Sequence, residues 1–120
     1  MKIKISGIKD AGNLEGERII LIAEEDVDIG DYMTCYVRET DETTISTDIQ
    51  SPFWFPNTKL KKGDRVVVYT REGQRGRKVG DDGSTSYFYY RNHNEPLCRD
   101  EAMGGLVLEV QGWNFEKKRL

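Results

Sequence analysis

The chain has 120 residues with 37% hydrophobic content, and its 18 Lys and Arg against 21 Asp and Glu give a formal net charge of −3. This length predicts a single domain, residues 1–120, that can bury a core without disulfides or a metal. No stretch approaches the roughly 18 apolar residues of a transmembrane helix. The alternating start, residues 1–5, lacks the apolar segment of a signal peptide, which predicts a cytoplasmic protein.

The charges are unevenly distributed along the chain. Residues 1–50 hold twelve acids and five bases, a balance of −7, whereas residues 51–120 hold nine acids and thirteen bases, a balance of +4. Two oppositely charged faces would favour head-to-tail self-association, and solvated loops that keep the domain soluble are the simpler interpretation.

The N-terminal part predicts short strands separated by polar turns. Residues 2–6 alternate lysine with isoleucine, which suits an edge strand. The most apolar run, Arg18–Ala23, is too short and too β-branched for a helix, so it predicts a strand buried on both faces. The acidic loop at 24–31 leads to a strand at 32–37, and residues 43–48 carry a weaker strand signal around Ile45.

The middle of the chain predicts three more strands. Pro52 and Pro56 bracket a short aromatic strand, which we expect at a sheet edge because proline cannot donate to a ladder. A turn at 62–64 precedes the β-branched strand 65–70, and a further strand covers 85–91. Residues 72–83, with four glycines and no apolar periodicity, predict a mobile loop.

The C-terminal part ends in one more strand. After an irregular segment at 92–103, Leu106, Leu108 and Val110 fall on one face of the last strand and Glu109 on the other. Residues 111–120 carry two aromatic residues and a basic end. Because no helix of three turns is convincing, the chain predicts an all-β sandwich of about 7–9 short, mostly antiparallel strands.

Several segments, taken in order, resemble the lamin tail domain family. They are Glu17-Arg18-Ile19-Ile20-Leu21, Val27-Asp28-Ile29-Gly30-Asp31-Tyr32, Phe53-Trp54-Phe55-Pro56, the stretch from Leu60 to Thr70, and the final Gly-Gly-Leu-Val-Leu strand. The resemblance covers roughly residues 14–112 and implies an immunoglobulin-like β-sandwich that is non-catalytic and serves protein or nucleic-acid binding.

Two departures from the family pattern limit what the resemblance implies. Tyr32 stands where family members usually carry tryptophan. Cys98-Arg99-Asp100-Glu101 stands where they often have a Trp-Asn-Asn-like stretch. The implied fold is kept, and no binding site of the family is transferred.

A basic and aromatic region is the first candidate site. Cations attract phosphates through counterion release, and aromatic faces can stack on unpaired bases. The residues are Arg71, Arg75, Arg77, Lys78, Tyr87 and Tyr89. Three acids within 71–91 leave that region with a net charge of only +2, and the isoelectric point of the whole chain is about 5.2. Strand alternation also turns half of the aromatic residues at 87–90 toward the core. Nucleic-acid binding is therefore an alternative function.

The acidic loop is a candidate calcium site, since clustered carboxylates can ligate calcium. Its acids are Glu24, Glu25, Asp26, Asp28 and Asp31. Counted from Asp26, the fifth position of an EF-hand loop is Gly30, so the ligand pattern fails. A charged surface loop is the better interpretation, and no metal or cofactor is predicted.

A cysteine-dependent enzyme is a second alternative. The single histidine, His93, lies five residues before Cys98, with Asp100 and Glu101 nearby. A nucleophilic cysteine needs a base within hydrogen-bond reach, which spacing alone does not establish. Cys98 and Cys35 are more simply free, buried residues, with a bridge between them left open.

These observations favour a non-catalytic interaction module that mediates protein–protein contacts or self-assembly. A sandwich can recruit a partner by strand addition at an edge, or through exposed aromatic anchors. Trp54 and Trp113 are the candidate anchors. No membrane partner and no small-molecule substrate is predicted.

Overall fold

The computed structural model describes all 120 residues as an all-β protein with one 3-10 turn at Ile29–Asp31. The strands are β1 (Ile3–Lys9), β2 (Arg18–Ala23), β3 (Val27–Asp28), β4 (Tyr32–Asp41), β5 (Thr44–Ile45), β6 (Gln50–Trp54), β7 (Lys59–Leu60), β8 (Arg65–Tyr69), β9 (Gly76–Val79), β10 (Thr85–Tyr90) and β11 (Met103–Glu109). Eight of them have four residues or more. The predicted all-β class is confirmed, and no helix is long enough to cross a bilayer.

Two main sheets pack face to face. The first has five strands in the order β1-β2-β8-β10-β9, and only its β8–β10 pair is parallel. In the second sheet β4 is central, with β11 on one side and β5 and β6 on the other. A short β3–β7 ladder is separate from both. This arrangement is consistent with a β-sandwich.

The core lies between the inner faces of these sheets. From the first sheet it takes Ile19 and Leu21 of β2, and from the second it takes Tyr32 and Tyr36 of β4. Burial alternates along β2: Ile19, Leu21 and Ala23 are fully buried, while the residues between them are only half-buried. The prediction that β2 is buried on both faces is therefore wrong, because its outward residues Arg18, Ile20 and Ile22 are only partly covered.

The predicted mobile loop at 72–83 contains a strand. Gly76–Val79 forms β9 and pairs with β10 at the edge of the first sheet. A turn closes this hairpin, with Gly83 at φ +84° and the carboxylate of Asp82 accepting the Ser84 amide at 3.0 Å. All four β9 residues are exposed, so the segment has no apolar alternation and its pairing is set by the turn and by β10.

The leucines of the last strand, β11, point away from the core. Leu106 and Leu108 share a face, as predicted, but it is the outer one, because Val107 packs on the core. Gly105 also faces inward, where an added Cβ would lie 3.1 Å from Cδ1 of Ile19. The inner side of β11 thus carries Met103, Gly105 and Val107, and Gly105 provides the space that Ile19 occupies. The edge prediction for the aromatic strand is confirmed, since β6 pairs only with β4.

Candidate interaction surfaces

The outer side of the second sheet carries no charged side chain between Met33 and Val37 of β4 or on the neighbouring parts of β6 and β11. Because Tyr32 and Tyr36 face the core, the alternate residues of β4 point outward, and the register places apolar residues of β6 and β11 beside them. We call this surface the apolar face; its residues are Met33, Cys35, Val37, Trp54, Leu106 and Leu108. Cys35 and Val37 are only 1% and 3% exposed, so they lie beneath the other four, which form the accessible part of the face. One cross-strand row joins Leu108, Met33 and Trp54, and the side chains of Trp54 and Leu108 are 41% and 38% exposed.

The chain after β11 borders this surface. The amide of Val110 donates to the carbonyl of Asp31 at 2.8 Å, and residues 111–120, which we call the C-terminal arm, are all exposed. Trp113 packs edge-to-face on Trp54 with ring centroids 5.3 Å apart. Trp113 is nevertheless 71% exposed and Phe115 is 74% exposed. The structure thus brings the two sequence-predicted anchors together at one edge of the apolar face.

The apolar face becomes acidic at its far end. Val37, Ile45 and Leu106 line a shallow cavity of about 260 Å³ together with the side of Glu39. Beyond it β4 continues through Thr40 to Asp41. The one cation there, Arg38, pairs with Asp100 at 3.0 Å, which leaves the other carboxylates at this end without a paired base.

The predicted basic and aromatic residues are divided between the two sides of the first sheet. Arg75, Arg77 and Tyr87 line a cavity of about 510 Å³ on the inner side, where β9 extends past the core. The guanidinium of Arg75 lies 5.2 Å from the ring centroid of Tyr89. Tyr89 is only 3% exposed and belongs to the core, so the hypothesis that it stacks on a base is wrong.

The other two cations of that set lie on the outer side of the first sheet. Lys78 is in register with Ser86 and Arg65 there. The guanidinium of Arg71 lies 4.9 Å from the ring centroid of Tyr69 and 5.3 Å from that of Tyr90, and these two rings stack on each other 5.1 Å apart. These rings therefore already have partners within the chain.

The outward positions of the first sheet carry cations and no acid. The cations, which we call the basic face, are Lys4, Lys9, Arg18, Arg65 and Lys78. Lys4 pairs with Glu24 at the rim at 3.0 Å, and Arg18 lies 3.7 Å from Asp10. Sequence analysis missed this surface because its residues come from four separate strands. The local signals for it are the lysine–isoleucine alternation at residues 2–6 and the alternation of Arg65, Val67 and Tyr69.

Two carboxylates of the acidic loop hold the backbone rather than an ion. Asp28 Oδ1 accepts hydrogen bonds from the amides of Gly30 and Thr58, and Asp26 Oδ1 accepts one from the amide of Lys62. No group of three or more His, Cys, Asp or Glu has an arrangement that could hold a metal. The loop residues therefore have a structural explanation in the connection between β3 and β7.

His93 and Cys98 make different contacts. Nε2 of His93 lies 2.8 Å from Oγ of Ser51, which also accepts a hydrogen bond from Nε of Arg91 at 3.3 Å. Cys98 is buried beside Glu17, and both cysteines are free thiols. Burial, together with the Glu17 carboxylate, raises the pKa of the Cys98 thiol to about 11. A raised pKa disfavours the thiolate, so this geometry gives no support to a Cys98 nucleophile.

In comparisons with known proteins, no protein-family model matches the chain, and no curated protein is significantly similar to it. The resemblance to the lamin tail domain family therefore depends on the segments quoted above and stays a prediction.

Proposed function

We propose that this protein is a non-catalytic β-sandwich module that binds protein through its apolar face. The observation that carries the proposal is the absence of charge at the outward positions of β6, β11 and the part of β4 from Met33 to Val37, with Leu108, Met33 and Trp54 in one row. Single exposed apolar residues are normal on protein surfaces, whereas contiguous patches mark interaction sites.

Two tryptophans supply the anchors that such an interface needs. Large aromatic side chains bury much area at low entropy cost and dominate binding energy. The indole Nε1 of Trp54 donates to the carbonyl of Gly30 at 2.8 Å, which fixes the orientation of this ring before any partner arrives. A fixed anchor reduces the ordering cost of binding. The family resemblance implies the same non-catalytic role, and we place the module in the cytoplasm.

A site-specific photo-crosslinker tests this proposal. Placed at Leu108 in the protein expressed in its native host, it is expected to give discrete protein adducts. The same group at Val79, which is 65% exposed on the opposite sheet, is the matched control and should give none. If position 108 forms no adduct with any protein, or if both positions form the same adducts, the proposal is wrong.

One observation favours a second candidate function, the binding of nucleic acid to the basic face. Five cations and no acid occupy the outward positions of the first sheet. Arg65 also lines a cavity of about 620 Å³, in which three lysines outnumber the carboxylates of Asp64 and Asp82. Phosphates are attracted to such a surface. Because Tyr69 and Tyr90 already stack on each other, the contribution from base stacking is small here.

Two double variants with the same change in charge test which of the two basic surfaces binds nucleic acid. Arg65→Glu with Lys78→Glu removes cations from the outer side, and Arg75→Glu with Arg77→Glu removes them from the inner cavity. If the basic face binds single-stranded oligonucleotides, fluorescence anisotropy should show the larger loss in the first variant, with the salt slope reduced by about 1.4. Equal affinities for both variants and the unmodified protein would exclude this candidate.

A further inference from the structure

We infer that the partner on the apolar face is a second copy of this chain, and that the C-terminal arm of each copy lies across the apolar face of the other. This inference rests on the proposed function, because it names the occupant of the same surface. Three features of the chain carry it: the area available, the charge of the arm and the length of the arm.

The apolar face alone is too small for a stable dimer. Three strands about 4.8 Å apart, over the roughly 13 Å from Met33 to Val37, present only about 190 Å². Cys35 and Val37 within this area are almost fully buried. A standard interface buries about 800 Å² on each partner. Trp113 and Phe115 of the arm are mostly exposed, and such side chains bury about 150–250 Å² each. Face and arm together approach the required area, whereas either one alone does not.

The charges of arm and face are complementary. Near its end the arm carries Lys117, Lys118 and Arg119. The apolar face ends in the acidic part of β4, where Glu39 and Asp41 have no paired base. An arm that places its aromatic residues on the apolar rows therefore brings its basic end toward acids. Complementary potentials of this kind select the partner and fix its orientation.

The arm is also long enough for this contact. Trp113 lies against Trp54 at one edge of the apolar face, and the seven residues beyond it span up to about 24 Å when extended. The distance along β4 from Met33 to Val37 is about 13 Å. Reciprocal exchange of two arms is isologous and closes at two copies, unlike the open assembly that head-to-tail stacking of basic and acidic faces would produce.

Sedimentation velocity of the purified full chain, at concentrations from low to high micromolar, tests the inference. The unmodified protein is expected to approach twice its 13.8 kDa mass. Leu108→Glu on the face and the pair Trp113→Ser with Phe115→Ser on the arm should each raise the dissociation constant about tenfold or more. Val79→Glu, an equal change at an exposed residue of β9, should leave it unchanged. Thermal unfolding of each variant verifies that the fold is retained.

A monomer at every concentration would overturn the inference, and so would arm variants that remain fully dimeric. Species larger than two copies would indicate the head-to-tail arrangement instead. These outcomes are separate from failure of the proposed function: a monomer that still crosslinks another protein at position 108 overturns only the dimer. Absence of any adduct at that position overturns both.

Discussion

Replacing Glu17 with alanine is expected to lower the free energy of unfolding by about 3–5 kcal/mol, because it leaves four donors without an acceptor, two of them on the buried residues Thr70 and Cys98. Glu17 is 0% exposed. Its Oε1 accepts the amides of Gly12 and Cys98, both at 2.9 Å, and its Oε2 accepts the amide of Leu97 at 2.8 Å and the hydroxyl of Thr70. This one carboxylate joins the start of β2, the end of β8 and the segment before β11.

Glu17→Gln keeps the shape of the side chain and provides the second variant. Its amide group would face the Leu97 amide, a donor opposite a donor, so we expect a smaller loss of about 2 kcal/mol. Urea unfolding at neutral pH measures both variants. Glu15→Gln, at an exposed position two residues earlier, is the control and should change stability by less than about 0.5 kcal/mol. If the two Gln variants have equal stability, the assigned role of Glu17 is wrong.

The same carboxylate predicts a pH dependence. Burial by itself opposes ionisation of Glu17, but the hydrogen bonds from Thr70, Gly12, Leu97 and Cys98 outweigh it and hold the pKa below its usual value. An unfolded glutamate has a pKa of about 4.3. The stabilisation is therefore complete above about pH 4.3 and is lost as the pH falls through the lower folded pKa. The difference in the free energy of unfolding between the unmodified protein and Glu17→Gln should narrow as the pH falls below about 4.3, and a difference that stays constant down to the acid limit of folding would contradict this.

Gly30→Ala is the second substitution with a large expected effect, a loss of about 2–3 kcal/mol and a melting temperature about 10 °C lower. Gly30 is buried in the 3-10 turn before β4. A Cβ there would lie 2.8 Å from Cα of Asn57 and would also overlap the Asn57 side chain. Because this contact involves backbone, the turn and the chain after β6 must separate, which also disturbs the Trp54 hydrogen bond to Gly30.

Gly76→Ala is the matched control for this prediction. Gly76 is exposed on β9, and a Cβ added there meets no atom within 4 Å. Calorimetry should show a melting temperature close to that of the unmodified protein, since surface changes of this kind alter stability by less than about 0.5 kcal/mol. A Gly30→Ala variant as stable as Gly76→Ala would show that the turn accommodates the methyl group, against the geometry described here.

The sequence does not predict which side of the aromatic strand β10 faces the core. Tyr87, Phe88, Tyr89 and Tyr90 are all compatible with either side of a sheet, so alternation predicts two faces without saying which is inner. Only pairing with β8 decides it: Tyr89 is in register with the buried Val68, and Tyr90 with Tyr69 on the outer side. Tyr87 and Tyr89, which the sequence analysis named as candidate binding residues, are therefore the two tyrosines of β10 that face the core.

Glu17 was not predictable as a buried residue for a similar reason. In the sequence it is one of many acids that precede a strand, and nothing local separates it from the exposed Glu15. Its burial is favourable because donors converge on it, and of these only the Gly12 amide is close in sequence, while the Thr70 hydroxyl and the amides of Leu97 and Cys98 come from distant parts of the chain. A buried charge is stable where such donors satisfy it.

Local patterns determined the all-β class of this chain and most of its strands, because runs of β-branched and aromatic residues favour the extended backbone and the Gly, Pro and Asp residues between them favour turns. They also determined the candidate anchors Trp54 and Trp113, but not that these two rings touch. Only the tertiary structure decided which side of each strand is covered, that the outer residues of β4, β6 and β11 form one apolar face, and that cations of the first sheet share another. The physical reason is that a surface consists of neighbours across strands, and cross-strand register depends on contacts far apart in sequence.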